Sequence, residues 1–227
     1  MQANGYFQTP PVVKNLIIIN VLFFMAETLL PRETGNLIVE KLGLFFWQSD
    51  YFRPYQLITY MFLHGSIGHL FMNMFALWMF GRSLEYDLGP KRFLIYYMVT
   101  GIGAALIQLG VNWIEISSLH HSIMTDGGTQ QDIIRLGQMI NGVTIGASGA
   151  VFGILLAFGM LHPNVGIFIF LIPIPVKAKY FVIGYGVLEL LSGVVGTSPG
   201  IAHFAHVGGM LWGYLLLRYW KKRGLYY

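Results

Sequence analysis

The chain has 227 residues, of which 55% are hydrophobic, only 11% are charged and none is cysteine. Soluble domains carry roughly 25% charged residues, so this chain has too few charges to cover a water-facing surface; the lack of cysteine also excludes a disulfide framework, a thiolate nucleophile and a cysteine-ligated metal. The formal net charge of +4 does not indicate nucleic acid, because the basic residues are scattered through connecting segments rather than gathered on one face.

The apolar residues fall in runs of membrane length, about 17–25 residues per helix, and predict an all-α integral membrane protein with six spans. In chain order the spans are 13–30, 68–82, 91–113, 147–162, 166–192 and 203–219. The apolar run of the first, Leu16 to Leu30, follows the single Lys14 and has no small-x-small cleavage site before Pro31, so the first span is expected to be a retained helix rather than a signal peptide. Tyr55 to Leu63, ahead of the second span, is apolar and is expected to be partly embedded. The longest connections are 31–67 and 114–146, and within the latter Gln131 to Leu136 is expected to form a short amphipathic surface helix. No internal repeat or low-complexity tract divides the chain, and a single domain over 1–227 is the simplest organisation.

Lys and Arg set the orientation. With a cytoplasmic N-terminus the inner side collects Lys14, Arg82, Lys91, Arg92, Lys177, Lys179, Arg218, Lys221, Lys222 and Arg223, and the outer side Arg32, Lys41, Arg53 and Arg135. That division predicts that both termini are cytoplasmic.

Strongly polar side chains inside spans mark function. His69 and Asn73 lie in the second span, Ser148 opens the fourth, and His206 lies near the start of the sixth. These spans run from outside to inside, and the three sites stand 13, 14 and 12 residues before Arg82, His162 and Arg218. At a rise of about 1.5 Å per residue, each sits roughly 20 Å above the inner boundary of a core about 30 Å thick. Residues from distant parts of the chain thus share one depth. Ser148 lies in Gly146-Ala147-Ser148-Gly149-Ala150, where small neighbours let a peptide backbone approach the hydroxyl. Gly149 and Gly153 on one span and Ala205, Gly209 and Gly213 on another repeat every four residues, a spacing that brings helix axes close. Taken alone, Ser148 reads as a packing residue. A histidine within reach changes this, because a serine hydroxyl needs an adjacent base and imidazole has a suitable pKa, near 6.5. His206 fits that role; His203, one turn earlier, is the rival and is expected nearer the water. His69 and Asn73 are four apart, on one helical face, and together with the Ser148 N–H they are candidate oxyanion donors.

Together these residues resemble the rhomboid family of intramembrane serine proteases over nearly the whole chain. His-x-x-x-Asn is matched by His69 and Asn73, Gly-x-Ser-Gly by Gly146, Ser148 and Gly149, and Ala-His-x-x-Gly by Ala205, His206 and Gly209. Gly81-x-x-x-Glu85-x-x-x-Gly89 is similar to the family's helix-ending motif, and His64 matches a recurrent histidine, expected to be structural. The resemblance implies a Ser148–His206 dyad with no third acidic member; the in-span acids Glu27 and Glu189 occur in no matched motif. It also implies that Phe152, four residues after the serine, stacks on His206 without contributing a tyrosine hydroxyl. Two departures stand out. Tyr55-Gln56 occupies the place of the family's frequent Trp-Arg, so the outer loop is expected to sit differently, and Ile201 replaces a frequent glycine, implying looser local packing.

The implied activity is endopeptidase cleavage of single-span membrane proteins near the outer side of the bilayer, favouring a small residue before the cut and helix-breaking residues after it. His64, Ser66, His69 and Asn73 are expected to line a water path from outside. Neither cofactor nor metal is expected, and no nucleic-acid partner. The compact layout points to a prokaryotic plasma (inner) membrane. Two alternatives compete: a catalytically inactive rhomboid-like protein that binds membrane proteins, and a transporter or metal site built from His64, His69, His203 and His206. Against the latter, the histidines have no matched carboxylate and no His-Glu-x-x-His is present.

Overall fold

The computed structural model describes residues 8–168, 174–196 and 202–225. The chain is almost wholly helical. Helix α1 spans Pro11–Leu29, α2 Arg32–Leu42 and α3 Gln56–Thr59, the last continuing into a 3₁₀ turn at Tyr60–Phe62. Next come α4 (Ile67–Ala76), a wider π-helical turn (Leu77–Gly81) and α5 (Arg82–Leu88), then α6 (Pro90–Asp126), α7 (Gln130–Asn141) and α8 (Ser148–Leu161). A two-residue antiparallel pair, β1 (Gly166–Ile167) with β2 (Val176–Lys177), precedes α9 (Ala178–Val195) and α10 (His203–Lys222). Three of these helices, α1, α6 and α9, are long and apolar enough to cross a membrane; α8 is apolar but shorter.

The boundaries follow local chemistry. Pro11 opens α1 at a position that needs no N–H donor. The next free donors, Val12 N–H and Val13 N–H, are accepted by Glu85 at 3.0 and 2.8 Å. A buried carboxylate at a helix N-terminus satisfies both the orphan donors and the helix dipole. The glycines around Glu85 have matching tasks. Gly89 takes φ +77° and donates to the Glu85 carbonyl, which ends α5. A side chain at Gly81 would press on Leu77, Phe93 and Val13. The helix-ending motif of the sequence is therefore also the cap of the first helix.

Several expected boundaries shift. The second helical run does not stop at 82; α4, the π turn and α5 are continuous to Leu88, because the junction residues Ala76, Leu77, Gly81 and Arg82 keep right-handed helical angles. The connection expected over 114–146 is mostly helix: α6 continues to Asp126 and ends on left-handed Gly127, and Thr129 and Asp132 form a reciprocal capping box that starts α7. That box, with the Thr129 hydroxyl and N–H both on the carboxylate, holds Asp132 below the usual carboxylate range. The amphipathic segment expected at Gln131–Leu136 is part of α7. The fifth span does not begin at 166. Residues 166–177 include the short β1–β2 pair, and the helix starts at Ala178. Hydropathy alone reads this apolar stretch as one span, whereas Gly166 packs on Pro175, a residue with no N–H to give a helix.

The centre of the molecule is the trio α6, α8 and α10. A Cβ at Gly149 would overlap Ala104, one at Gly209 the Gly149 carbonyl oxygen, and one at Gly213 the Tyr96 hydroxyl. Hydroxyls satisfy the carbonyls left at these close approaches: Tyr96 donates to the Gly153 carbonyl and Tyr60 to the Gly101 carbonyl, both at 2.8 Å. By contrast α1 and α9 leave Leu22, Ile183, Leu188 and Val194 exposed, a surface suited to hydrocarbon rather than water.

Candidate active site

The segment entering α8 is held on both sides before it reaches the serine. Thr144 pairs with Leu44 through two backbone hydrogen bonds of 2.8 and 2.9 Å, and Gly146 N–H donates to the Tyr60 carbonyl at 2.9 Å. Gly146 then takes φ +130°, a conformation closed to most side chains, and Ser148 follows in the first turn of α8. Its backbone N–H belongs to the helix's unpaired first donors.

The serine hydroxyl meets α10. Ser148 Oγ lies 2.8 Å from His206 Nε2. The Phe152 ring, one turn along α8, stacks on the His206 imidazole with centroids 4.2 Å apart and planes 5° from parallel. The α8–α10 glycine contact brings these side chains together: with Gly209 lying against the Gly149 backbone, the two helices are near enough for a serine and a histidine to bond.

Beyond His206 lies a residue that the motifs did not include. Glu189 Oε2 accepts from His206 Nδ1 and from His203 Nδ1, each at 2.7 Å, and all three side chains are buried. His203 is thus not the water-facing rival that its position suggested, and an acidic third member does face the serine–histidine pair. The signal was available in the sequence as an acid inside an apolar run. With α9 starting at Ala178, Glu189 stands 12 residues past Lys177, a count close to those of the other three sites; a span from 166 hid this. The objection to a metal, that no carboxylate accompanies the histidines, also falls. Glu189, His203 and His206 offer ligand atoms within 4.8 Å of one another. These atoms are already engaged in hydrogen bonds, and His64 and His69 are not part of the cluster.

His69 and Asn73 lie one turn apart on α4, and His69 reaches the segment that leads into Ser148. A Cβ at Gly146 would sit 2.9 Å from His69 Nε2 and 3.7 Å from Ser148 Oγ, so the imidazole and the hydroxyl flank one small space. Asn73 is buried and donates one Nδ2–H to the His69 carbonyl at 3.0 Å, which leaves the amide a second N–H. The His64 ring meets the His69 ring edge-on at 5.0 Å, while both His64 ring nitrogens are buried and without a hydrogen bond. Of the four residues expected to line a water path, His64 and Ser66 border a cavity of about 460 Å³ together with Glu27 and Asn36; His69 and Asn73 do not border it.

At the start of α3 Gln56 is fully buried, and its amide is saturated. The oxygen accepts from Phe45 and Arg53 N–H, and the nitrogen donates to the Lys41 and Tyr51 carbonyls. The place of the family's charged arginine is taken by a neutral residue that ties the loop to itself. Ile201 lies outside the described residues.

The fold and site together define a helical protein with membrane-length apolar helices and a serine–histidine pair between α8 and α10. The family model of the Rhomboid domain matches residues 51–223, and the chain belongs to the rhomboid family. It is 33% identical over 161 residues to RHOMBOID-like protein 12, mitochondrial, of Arabidopsis thaliana, covering 69% of this chain and 44% of that protein. It is 32% identical over 183 residues to Rhomboid protein 1, mitochondrial, of Saccharomyces cerevisiae, covering 77% and 44%. With Rhomboid protease AarA of Providencia stuartii the identity is 30% over 166 residues, covering 69% and 52%. The chain spans about half the length of the curated relatives it matches. Two of these three relatives carry mitochondrial names, which does not fit the expectation of a prokaryotic plasma membrane, while the third is bacterial.

Proposed function

We propose that this chain is an intramembrane serine endopeptidase that cleaves single-span membrane proteins near the outer side of the bilayer. The observation carrying this reading is the 2.8 Å contact between Ser148 Oγ and His206 Nε2, in a family that includes a protein named as a protease. The Ser148 hydroxyl gives its proton to His206 Nε2 as Oγ bonds to the substrate carbonyl carbon. The negative charge on the carbonyl oxygen is met by His69, the free Asn73 N–H and the Ser148 N–H, donors fixed before the reaction begins. His206 passes the proton to the leaving amine. It then deprotonates a water that attacks the acyl-enzyme, releasing the new carboxyl end and restoring Ser148. No step needs a metal or cofactor.

The same reading includes a single six-span domain with cytoplasmic termini, in which α3 and its 3₁₀ turn serve as a re-entrant lead-in. Support comes from the distribution of Lys and Arg and from the shared depth of the polar residues. The test is labelling of the detergent-solubilised protein with a serine-directed fluorophosphonate, with cleavage of a single-span reporter measured in parallel. Labelling and cleavage in the wild-type protein, both abolished in Ser148→Ala, are expected. No labelling and no cleavage in the wild type would favour an inactive membrane-protein-binding relative. Activity that survives Ser148→Ala would overturn the assignment.

A further inference from the structure

We propose that Glu189 is a positioning residue for His206, turning the expected dyad into a Ser148–His206–Glu189 triad in which His203 anchors the carboxylate. The proposal rests on the protease reading and adds to it a group from a helix that carries none of the matched motifs.

A carboxylate has no hydrogen to give, so each nitrogen bonded to it must be the donor. Glu189 Oε2 lies 2.7 Å from the Nδ1 atoms of both His206 and His203; each imidazole therefore carries its proton on Nδ1. For His206 this leaves the Nε2 lone pair facing the Ser148 hydroxyl at 2.8 Å, the one tautomer able to accept the serine proton. When that proton arrives, the imidazolium forms beside a carboxylate already in place, in surroundings of low dielectric. The proton stays on the imidazole, and Glu189 takes up none.

The two histidines are not equivalent. His206 Nε2 has Ser148 as its partner, whereas His203 Nε2 is buried with no hydrogen-bond partner among the described residues. His203 has nothing to activate. What it does have is a second bond to the same carboxylate oxygen, which stops the Glu189 side chain from rotating away when the imidazole moves. His203 and His206 are three residues apart on α10, on one face, so a single carboxylate from α9 can bridge them. A merely structural clamp between α9 and α10 would need the same bonds and the same tautomer, but its loss would lower the melting midpoint and leave kcat per folded molecule unchanged. That difference can be tested.

Glu189→Gln preserves volume but offers an N–H to Nδ1, which drives the His206 proton onto Nε2 and removes the acceptor. In full-length protein in detergent, kcat is expected to fall about 100- to 10,000-fold, as for loss of the tautomer-fixing acid in soluble triads. KM is expected to stay within a few-fold, the fluorophosphonate labelling rate to fall in parallel, and the melting midpoint to shift little. Glu189→Asp, which keeps the acceptor, is expected to recover at least tenfold over Glu189→Gln. His203→Asn is expected to lose about 3- to 10-fold in kcat. Nitrogen-15 NMR of histidine-labelled wild-type protein reads the tautomer without any variant: a protonated Nδ1 and an unprotonated Nε2 on His206 support the proposal, and the reverse overturns it. Wild-type kcat in Glu189→Gln, with Ser148→Ala inactive, overturns the role of Glu189 and leaves the dyad intact. Cleavage that persists in Ser148→Ala instead removes the protease reading itself.

Discussion

Glu85 and Glu189 are both glutamates, buried to 2% and 8% exposure, and each accepts two hydrogen bonds from a different helix. Glu85 spreads its bonds over both oxygens and takes them from backbone N–H groups at the start of α1. Glu189 takes both on one oxygen, from two imidazoles. The partners of Glu85 never change protonation, so its bonds are permanent and their effect is to hold the bundle together. The partners of Glu189 can gain and lose protons, and one of them touches a hydroxyl. A buried carboxylate is thus structural or functional according to what it faces, and neither its burial nor its number of bonds distinguishes the two cases.

Substitutions should separate them. Glu85→Ala strands two N–H groups at the head of α1, at about 1–3 kcal/mol for each buried donor left unpaired. The melting midpoint is expected to fall by an amount matching roughly 2–6 kcal/mol, while kcat per folded molecule, counted by active-site labelling, is unchanged. A fall in kcat with the midpoint held would reverse the roles assigned to the two acids. Gly209→Ala tests whether the chemistry around Glu189 depends on helix spacing. The added methyl overlaps the Gly149 carbonyl oxygen, so α8 and α10 must separate and Ser148 must move away from His206. A displacement of about 1 Å is enough for roughly a hundredfold loss of rate. Reporter cleavage is therefore expected to drop by about that factor in the folded fraction, whereas an unchanged rate would mean that the glycine contact does not set the serine–histidine distance.

The same contrast explains what the sequence could disclose. Ser148, His206, His69 and Asn73 stood out as candidates because each sits in a short motif and because residue counts from span ends gave Ser148, His206 and His69 a common depth. The α8–α10 contact was legible from small residues repeating every four. Phe152 was assigned a stacking role by resemblance, and its ring is parallel to that of His206. Glu189 was visible as an acid in an apolar run, but its partners lie 14 and 17 residues away across the turn into α10. Its depth also depended on where α9 begins. Hydropathy cannot set that boundary, because the residues of the β1–β2 pair are as apolar as the helix they precede. Gln56 was hidden for another reason: nothing in Tyr55-Gln56 announces that one amide will satisfy four backbone groups of a loop.

The finest test concerns Phe152, which acts on the same imidazole as Glu189 by different means. The stacked ring fixes the plane of His206, and the Nδ1 bond fixes its rotation and tautomer. Tyr185, on α9 with Glu189, backs the Phe152 ring at 4.9 Å, so both restraints are tied to one helix. Phe152→Leu keeps the site apolar and removes the stack, worth about 0.5–1.5 kcal/mol for an aromatic pair. In the wild-type background that predicts a 2- to 10-fold loss in kcat, since the carboxylate still orients the ring. In a Glu189→Ala background no bond to Nδ1 remains and the stack alone of the two restrains the ring, so the same substitution is expected to be more damaging. A double-mutant cycle on kcat reads the coupling directly. Purely additive effects would mean that the ring and the carboxylate act on His206 independently, and that the stack does no more than fill space beside the base.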